Sequence, residues 1–481
     1  MDITMLIGGQ DQAAADATTF ERRDPVTGAV ATKAPAAKAG DVDAIVAAAQ
    51  AAYPAWAALG PNARRAHLLK AAAVMESKVA DFTAAMIAET GATGPWAGFN
   101  THLAASMIRE AAAITTQVKG EVIPSDKPGC FAMGQRRPLG VCLGIAPWNA
   151  PVILGVRAIA TAIAVGNTAI LKASEMCPAT HRLIGEVFRE AGLPEGVVNV
   201  VTNAPEDAAD LVAALIAHPD VKHVNFTGST AVGRIIGRLA GENLKPVILE
   251  LGGKAPLVVL EDADIEGAVN AAVFGSFMNQ GQICMSTERI IVDEKIADTF
   301  VAQLAARAQG LPFGDPRGHV VLGSLVTETA AEKVAALMDD AVAKGAKLVA
   351  GGARNGAIMA AGLLDHVTPE MRIYREESFG PVKSIIRVKG DDEAVRVAND
   401  TEYGLSAAVH GSDLRRAMAV AERIESGIVH INGPTVADEA QMPFGGVKAS
   451  GHGRFGGMAG LQAFTELRWV TVEDPHQHYP F

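Results

Sequence analysis

Val141-Cys142-Leu143-Gly144-Ile145-Ala146-Pro147-Trp148-Asn149-Ala150-Pro151 decides the fold, because an apolar β-branched run stops at a proline-rich turn and gives way to a helical pattern over Val152–Ala164. No charge falls between Pro138 and Val156, a length that invites a membrane reading. Pro147, Asn149 and Pro151 interrupt it, and strand, turn and helix is the physically consistent alternative.

Outward from this unit the alternation continues. Strands are expected at Ala169–Lys172, Val197–Val201, Val224–Thr227 and Val247–Leu251, with helices at Ala179–Ala191, Pro205–Ala217 and Ala231–Ala240 between them. Such a series buries its strands on both faces, which predicts a doubly wound parallel sheet. A second series starts near Ala255, with strands at Pro256–Leu260 and Ile290–Val292 and helices at Ile265–Phe277, Ile296–Ala308 and Val334–Ala343. The fold class is therefore α/β, with two doubly wound parallel-sheet domains. Lys119–Arg137, which mixes glycine, proline and charge, reads as an arm. Leu467–Glu473 alternates with strand period and is expected to pair with that arm or with another subunit.

The chain has 481 residues, enough for roughly three domains at about 150 residues each. Hydrophobic residues make up 49% and charged residues 20%, which excludes disordered and fibrous classes. Forty-two Lys and Arg against 53 Asp and Glu give a net charge of −11, the wrong sign for nucleic acid. Four cysteines without a Cys-x-x-Cys pair suggest neither a disulfide framework nor a metal site. The first residues lack a basic region followed by an apolar block, so a cytoplasmic protein is expected.

Among motifs, Gly451-His452-Gly453-Arg454-Phe455-Gly456 matches G-x-G-x-x-G in form, but with 49 glycines in the chain and no clear strand before it, it is set aside. Phe226–Gly233 is the better anion site: it leaves an apolar run, turns on Gly228 and Ser229, and enters a helix whose free amides suit a pyrophosphate. A plain capped turn reads the same way. Cys284 follows a small polar run, and a lone cysteine is usually core. Its company changes the reading, because Glu250 and Asn149 both fall at strand ends, where open α/β sheets bind ligands.

Ala146-Pro147-Trp148-Asn149, Ile170–Glu175, Phe226–Gly233, Leu249–Gly253, Gly281-Gln282-Ile283-Cys284, Glu376–Pro381 and Pro443–Gly446, in that order, resemble the aldehyde dehydrogenase superfamily over essentially the whole chain. The resemblance implies that Cys284 attacks the aldehyde carbon, and that Asn149 and the Cys284 N–H hold the oxyanion of the thiohemiacetal. Hydride then passes to nicotinamide, and Glu250 acts as the base that hydrolyses the thioester. It also implies an NAD-binding domain of residues 1–118 and 139–249, a catalytic domain of 250–449, and a small β oligomerisation arm of 119–138 and 467–481, in a homodimer or homotetramer.

For the cofactor, the resemblance assigns Lys172 and Glu175 to the adenosine ribose, Gly228 and Ser229 to the pyrophosphate, Glu377 and Phe379 to the nicotinamide ribose, and Trp148 to the same site. A carboxylate at Glu175 favours NAD, with NADP possible. No metal is implied. Substrate-wall candidates are Trp96, Asn100, Leu154, Arg157, Ile283 and Met285. Ile153 and Arg157 share the Asn149 face of the expected helix, and Arg157 could meet a ring hydroxyl or methoxy oxygen. Plain core for Trp96 and an ion pair for Arg157 are the alternatives. Trp96–Asn100, Met285–Arg289 and Tyr479-Pro480-Phe481 resemble the salicylaldehyde, vanillin and benzaldehyde dehydrogenase branch, which implies a small aromatic aldehyde as substrate. An aliphatic or semialdehyde relative and a catalytically silent structural relative are the rival readings.

Overall fold

The structure, a computed structural model, describes residues 1–481. Its first sheet has five parallel strands at its centre, in the spatial order Val198–Val201, Thr168–Lys172, Val141–Ile145, Val221–Thr227 and Val247–Glu250. The chain starts in the middle, winds to one side, then crosses to the other. The strand order thus reverses beside Val141–Ile145, and open parallel sheets leave a ligand crevice at such a point. Side chains alternate across this strand: Val141, Leu143 and Ile145 join one apolar cluster, and Cys142 joins the opposite one. Both faces are buried, as the continuous apolar runs predict.

Register places the chemistry. Ile145 pairs with Lys172 on one side and Phe226 on the other, and Thr227 pairs with Glu250. Asn149, Lys172, Gly228 and Glu250 therefore leave the sheet along one edge.

Five residues after Glu250 ends its strand in the first sheet, Ala255 leads into the second, through a turn that contains Gly252 and Gly253. The second sheet has the order Lys347–Ala350, Gly362–Asp365, Val382–Val388, Arg289–Asp293, Pro256–Val259, Ser406–His410 and Ile428–Ile431. All neighbours are parallel except the first pair. Leu257 and Val259 face one apolar cluster and Val258 and Leu260 the other.

The expected α/β architecture is present, with additions at the edges. Met5–Ile7 and Gln10–Gln12 extend the first sheet antiparallel, and Gly451–His452 closes its other edge against Leu249 and Glu250. The glycine pattern set aside above thus finishes a sheet. The arm holds two strands, Glu121–Ile123 and Phe131–Pro138, and Thr465–Val472 pairs antiparallel with the second of them. Of the two partners expected for the C-terminal run, the arm is the one it meets within this chain. The helix expected at Val334–Ala343 begins earlier, at Glu328, where the Thr327 hydroxyl accepts from the Ala330 N–H and caps it. The first turn expected at Pro205 is a separate 3-10 turn, and the α-helix runs over Ala208–Ala217. No helix is long and apolar enough to cross a membrane.

Candidate functional site

Cys284 sits on a loop fixed at both ends. After the Ile265–Phe277 helix, Asn279, Gln280 and Gly281 take left-handed conformations at φ 49, 57 and 72°. For Asn and Gln such backbone persists only when surroundings enforce it. Here Gln280 Nε2 donates to the Ser324 carbonyl (3.0 Å) and Asn279 Nδ2 to the Asn149 carbonyl (2.9 Å), while Gln282 Oε1 accepts from the Val326 N–H (3.0 Å). Gly253 lets the chain pass under the loop: a Cβ there would lie 2.4 Å from the Cys284 carbonyl oxygen.

Asn149 is clamped as firmly. Its carbonyl also accepts from Trp96 Nε1 (3.0 Å), and its own amide donates to the Gln282 carbonyl (3.0 Å). The Cys284 N–H has no acceptor within the chain. One amide hydrogen of Asn149 and one backbone N–H are therefore available beside the thiol, an arrangement able to hold an oxyanion.

Glu250 is buried at 1% exposure, and neither carboxylate oxygen finds a donor. Burial raises its pKa to about 7, against the pull of Cys284 and Arg157. Burial also pushes the Cys284 thiol up, and the Glu250 charge pushes it further. The free protein therefore carries a protonated thiol facing a carboxylate poised to exchange protons near neutrality.

Two cavities meet at this thiol, and Cys284 and Asn149 line both. The more polar one, of about 740 Å³, is also lined by Trp148, Gly228, Ser229, Glu250, Glu377 and Phe379, as the sequence suggested. It adds Pro147, Thr227, Gly252 and Lys333. Lys333 escaped the sequence reading because the helix that carries it was begun too late; the Thr327-Glu328 cap was the available signal.

The residues present fit a dinucleotide. Ser229 caps the Thr230–Glu242 helix by accepting from the Val232 N–H (3.3 Å), which leaves first-turn amides for an anion. Glu377 accepts from the Gly253 N–H (2.9 Å) through one oxygen and keeps the other free. Its pKa is about 7, raised chiefly by burial. Trp148 meets Phe379 edge to face at 5.6 Å. Lys172 and Glu175 lie beyond this cavity, at the end of the Thr168–Lys172 strand. They pair with each other, and Asn203 Nδ2 donates to Glu175 Oε1 (2.9 Å), so that Oε2 stays open to a hydroxyl.

The second cavity, of about 550 Å³, is apolar, and Trp96, Leu154, Arg157, Ile283 and Met285 line it as expected, with Ile153. Asn100 does not: it is fully buried on the Gly94–Ile114 helix, one turn after Trp96, and its amide folds back onto the Trp96 carbonyl (3.0 Å). Both alternatives for Trp96 and Arg157 hold alongside the wall position. Trp96 is 4% exposed, and Arg157 forms an ion pair with Asp438. Phe99, Phe274, Met278, Phe444 and Asp438, with the small Ala150, Val436 and Ala437, complete the wall and were not foreseen. Phe99 stacks on Trp96 at 5.5 Å and lies three residues on in the same helix, a spacing that could have found it.

The chain is similar to known proteins over nearly its whole length. A model described as the aldehyde dehydrogenase family matches residues 12–470. A vanillin dehydrogenase of Pseudomonas fluorescens is 61% identical over 481 residues, covering all of both chains. The crystal structure of a salicylaldehyde dehydrogenase from Pseudomonas putida G7, complexed with salicylaldehyde, superimposes with a TM-score of 0.98 at 49% identity over the full length of both. The structure of PnpE in complex with nicotinamide adenine dinucleotide matches at 0.95 and 36% identity, covering 100% of this chain and 99% of that one.

Proposed function

The chain belongs to the aldehyde dehydrogenase family, an oxidoreductase class acting on aldehydes with NAD or NADP, and from that premise we propose that it oxidises small aromatic aldehydes to carboxylic acids with NAD. The observation that carries this reading is the single thiol shared by a ring-lined apolar cavity and a polar cleft that fits a dinucleotide. The names of the relatives support the aromatic substrate.

In this reading Glu250 takes the Cys284 proton, directly or through a water, and the thiolate attacks the aldehyde carbon from the apolar side. The Cys284 N–H and the Asn149 amide hold the resulting oxyanion, a charge absent from the free aldehyde, so their contribution falls on the transition state. Bound NAD supplies a hydride acceptor. Glu250 gives up the thiol proton to solvent, and the acyl group left on Cys284 is then hydrolysed by water that the regenerated carboxylate deprotonates, which its pKa of about 7 permits at neutral pH. Lys172, Glu175, Gly228, Ser229, Trp148, Glu377 and Phe379 hold the cofactor. The Glu175 carboxylate repels a 2′-phosphate, which supports NAD over NADP.

Residues 1–118 and 139–249 form the cofactor domain and 250–449 the catalytic domain, with the arm of 119–138 and 467–481 joining subunits of a homodimer or homotetramer. Four free cysteines support a cytoplasmic setting. Steady-state rates with NAD on benzaldehydes, short alkanals and succinate semialdehyde test the proposal. Benzaldehydes should show the highest kcat/KM; equal or better rates on alkanals or the semialdehyde would defeat the aromatic assignment, and absence of NADH formation with every aldehyde would favour a silent relative.

A further inference from the structure

The apolar cavity contains one charged pair that aldehyde oxidation does not itself require. Arg157 and Asp438 both line it, their side chains are only 6% and 10% exposed, and Arg157 Nη2 bonds Asp438 Oδ2. The guanidinium also lies over the Phe444 ring, 4.2 Å from its centroid, which fixes it from a second side. Asp438 Oδ1 is different: it is buried and has no hydrogen-bond donor anywhere in the chain. Nearly all buried polar atoms are satisfied, so an unfilled acceptor on a cavity wall marks a place where a ligand donor belongs.

We propose that Asp438 is a specificity-determining residue whose free Oδ1 accepts a hydrogen bond from a hydroxyl group on the ring of the aromatic aldehyde, while Arg157 holds the carboxylate in place. The inference rests on the aromatic-aldehyde reading above and adds a substituent requirement to it.

The chemistry selects a hydroxyl. A carboxylate only accepts, so it distinguishes a phenolic O–H from a methoxy group or a ring hydrogen, whereas the donor-only guanidinium of Arg157 cannot make that distinction. Burial raises the Asp438 pKa and Arg157 draws it back down. Position agrees as well. Arg157 lies six residues, about 9 Å, into the helix that begins at Pro151, two residues after Asn149. The pair therefore faces the part of a bound ring remote from the aldehyde.

The test compares kcat/KM for benzaldehyde, the hydroxybenzaldehydes and the matching methoxybenzaldehydes, in the wild type, in Asp438→Asn, and in a double variant, Arg157→Met with Asp438→Leu, that leaves no charge unpaired. The wild type should favour at least one hydroxybenzaldehyde over both its methoxy counterpart and benzaldehyde. That preference should fall about 10- to 100-fold in both variants, the range for a hydrogen bond to a charged group. A wild type without hydroxyl preference overturns the inference whether or not the variants fold, and so does a preference that survives in either variant. Wild-type enzyme that oxidises benzaldehyde without hydroxyl preference defeats only the role of Asp438; failure to oxidise any benzaldehyde defeats the aromatic reading itself.

Discussion

Asn149 and Glu250 illustrate how one residue's surroundings set its chemistry. Asn149→Ala removes one oxyanion donor and should lower kcat by about 10²- to 10³-fold while leaving the fold intact, as circular dichroism and turnover measured together would establish. Glu250 carries a stability signature too. Its pKa in the fold is about 7 against an ordinary 4.5, so the folded chain holds a proton that the unfolded chain releases between those values. Stability contributed by Glu250 is therefore full below about pH 4.5, declines as pH rises to about 7, and stays lost above, a difference of about 3 kcal/mol. Glu250→Gln should raise the melting temperature at about pH 8 and change it little at about pH 4.5. An equal change at both would remove the carboxylate as the cause. Strand ends and a loop made Cys284, Glu250 and Asn149 a suggestive grouping in the sequence, and the resemblance of their blocks supplied the roles expected of them. Asp438 was not: it lies in irregular chain after the Ile428–Ile431 strand, and its partner is 281 positions away.

The loop before Cys284 is the element on which that chemistry depends. Gly281 sits at φ +72°, and a Cβ there would lie 2.2 Å from the Gly380 carbonyl oxygen. Gly281→Ala should cost about 2–4 kcal/mol in urea unfolding, from backbone strain and overpacking together. It should also lower turnover through displacement of the thiol. Long periodic elements such as the Ile265–Phe277 helix were legible to the residue. The three-residue strands Met5–Ile7 and Gln10–Gln12 were not, because so short a run carries no readable period; the two pair with each other, and Met5–Ile7 joins the sheet only through the distant Val198–Val201 strand. The strand ends were legible for the opposite reason. Proline or glycine follows three of the five central runs, at Pro147, Gly228 and Gly252, and parallel pairing brings those stops to one edge.

At the scale of the whole molecule, the three-stranded arm sheet leaves Trp469 at 78% and Leu467 at 55% exposure on neighbouring positions of one face. Covering that face is the role assigned above to a second subunit. Trp469→Asp should shift sedimentation toward a smaller species, and an unchanged wild-type assembly would remove the arm from the interface. Two sheets, joined through Gly252 and Gly253, bring the polar cleft and the apolar cavity together at Cys284. Rapid mixing of Glu250→Gln with NAD and benzaldehyde, followed by peptide mass spectrometry, tests that arrangement directly. One equivalent of NADH should form in a burst, slowed by loss of the base that takes the thiol proton, without steady turnover, and a benzoyl group should be found on the Cys284 peptide. Wild-type turnover, or a burst that leaves Cys284 unmodified, would contradict the account.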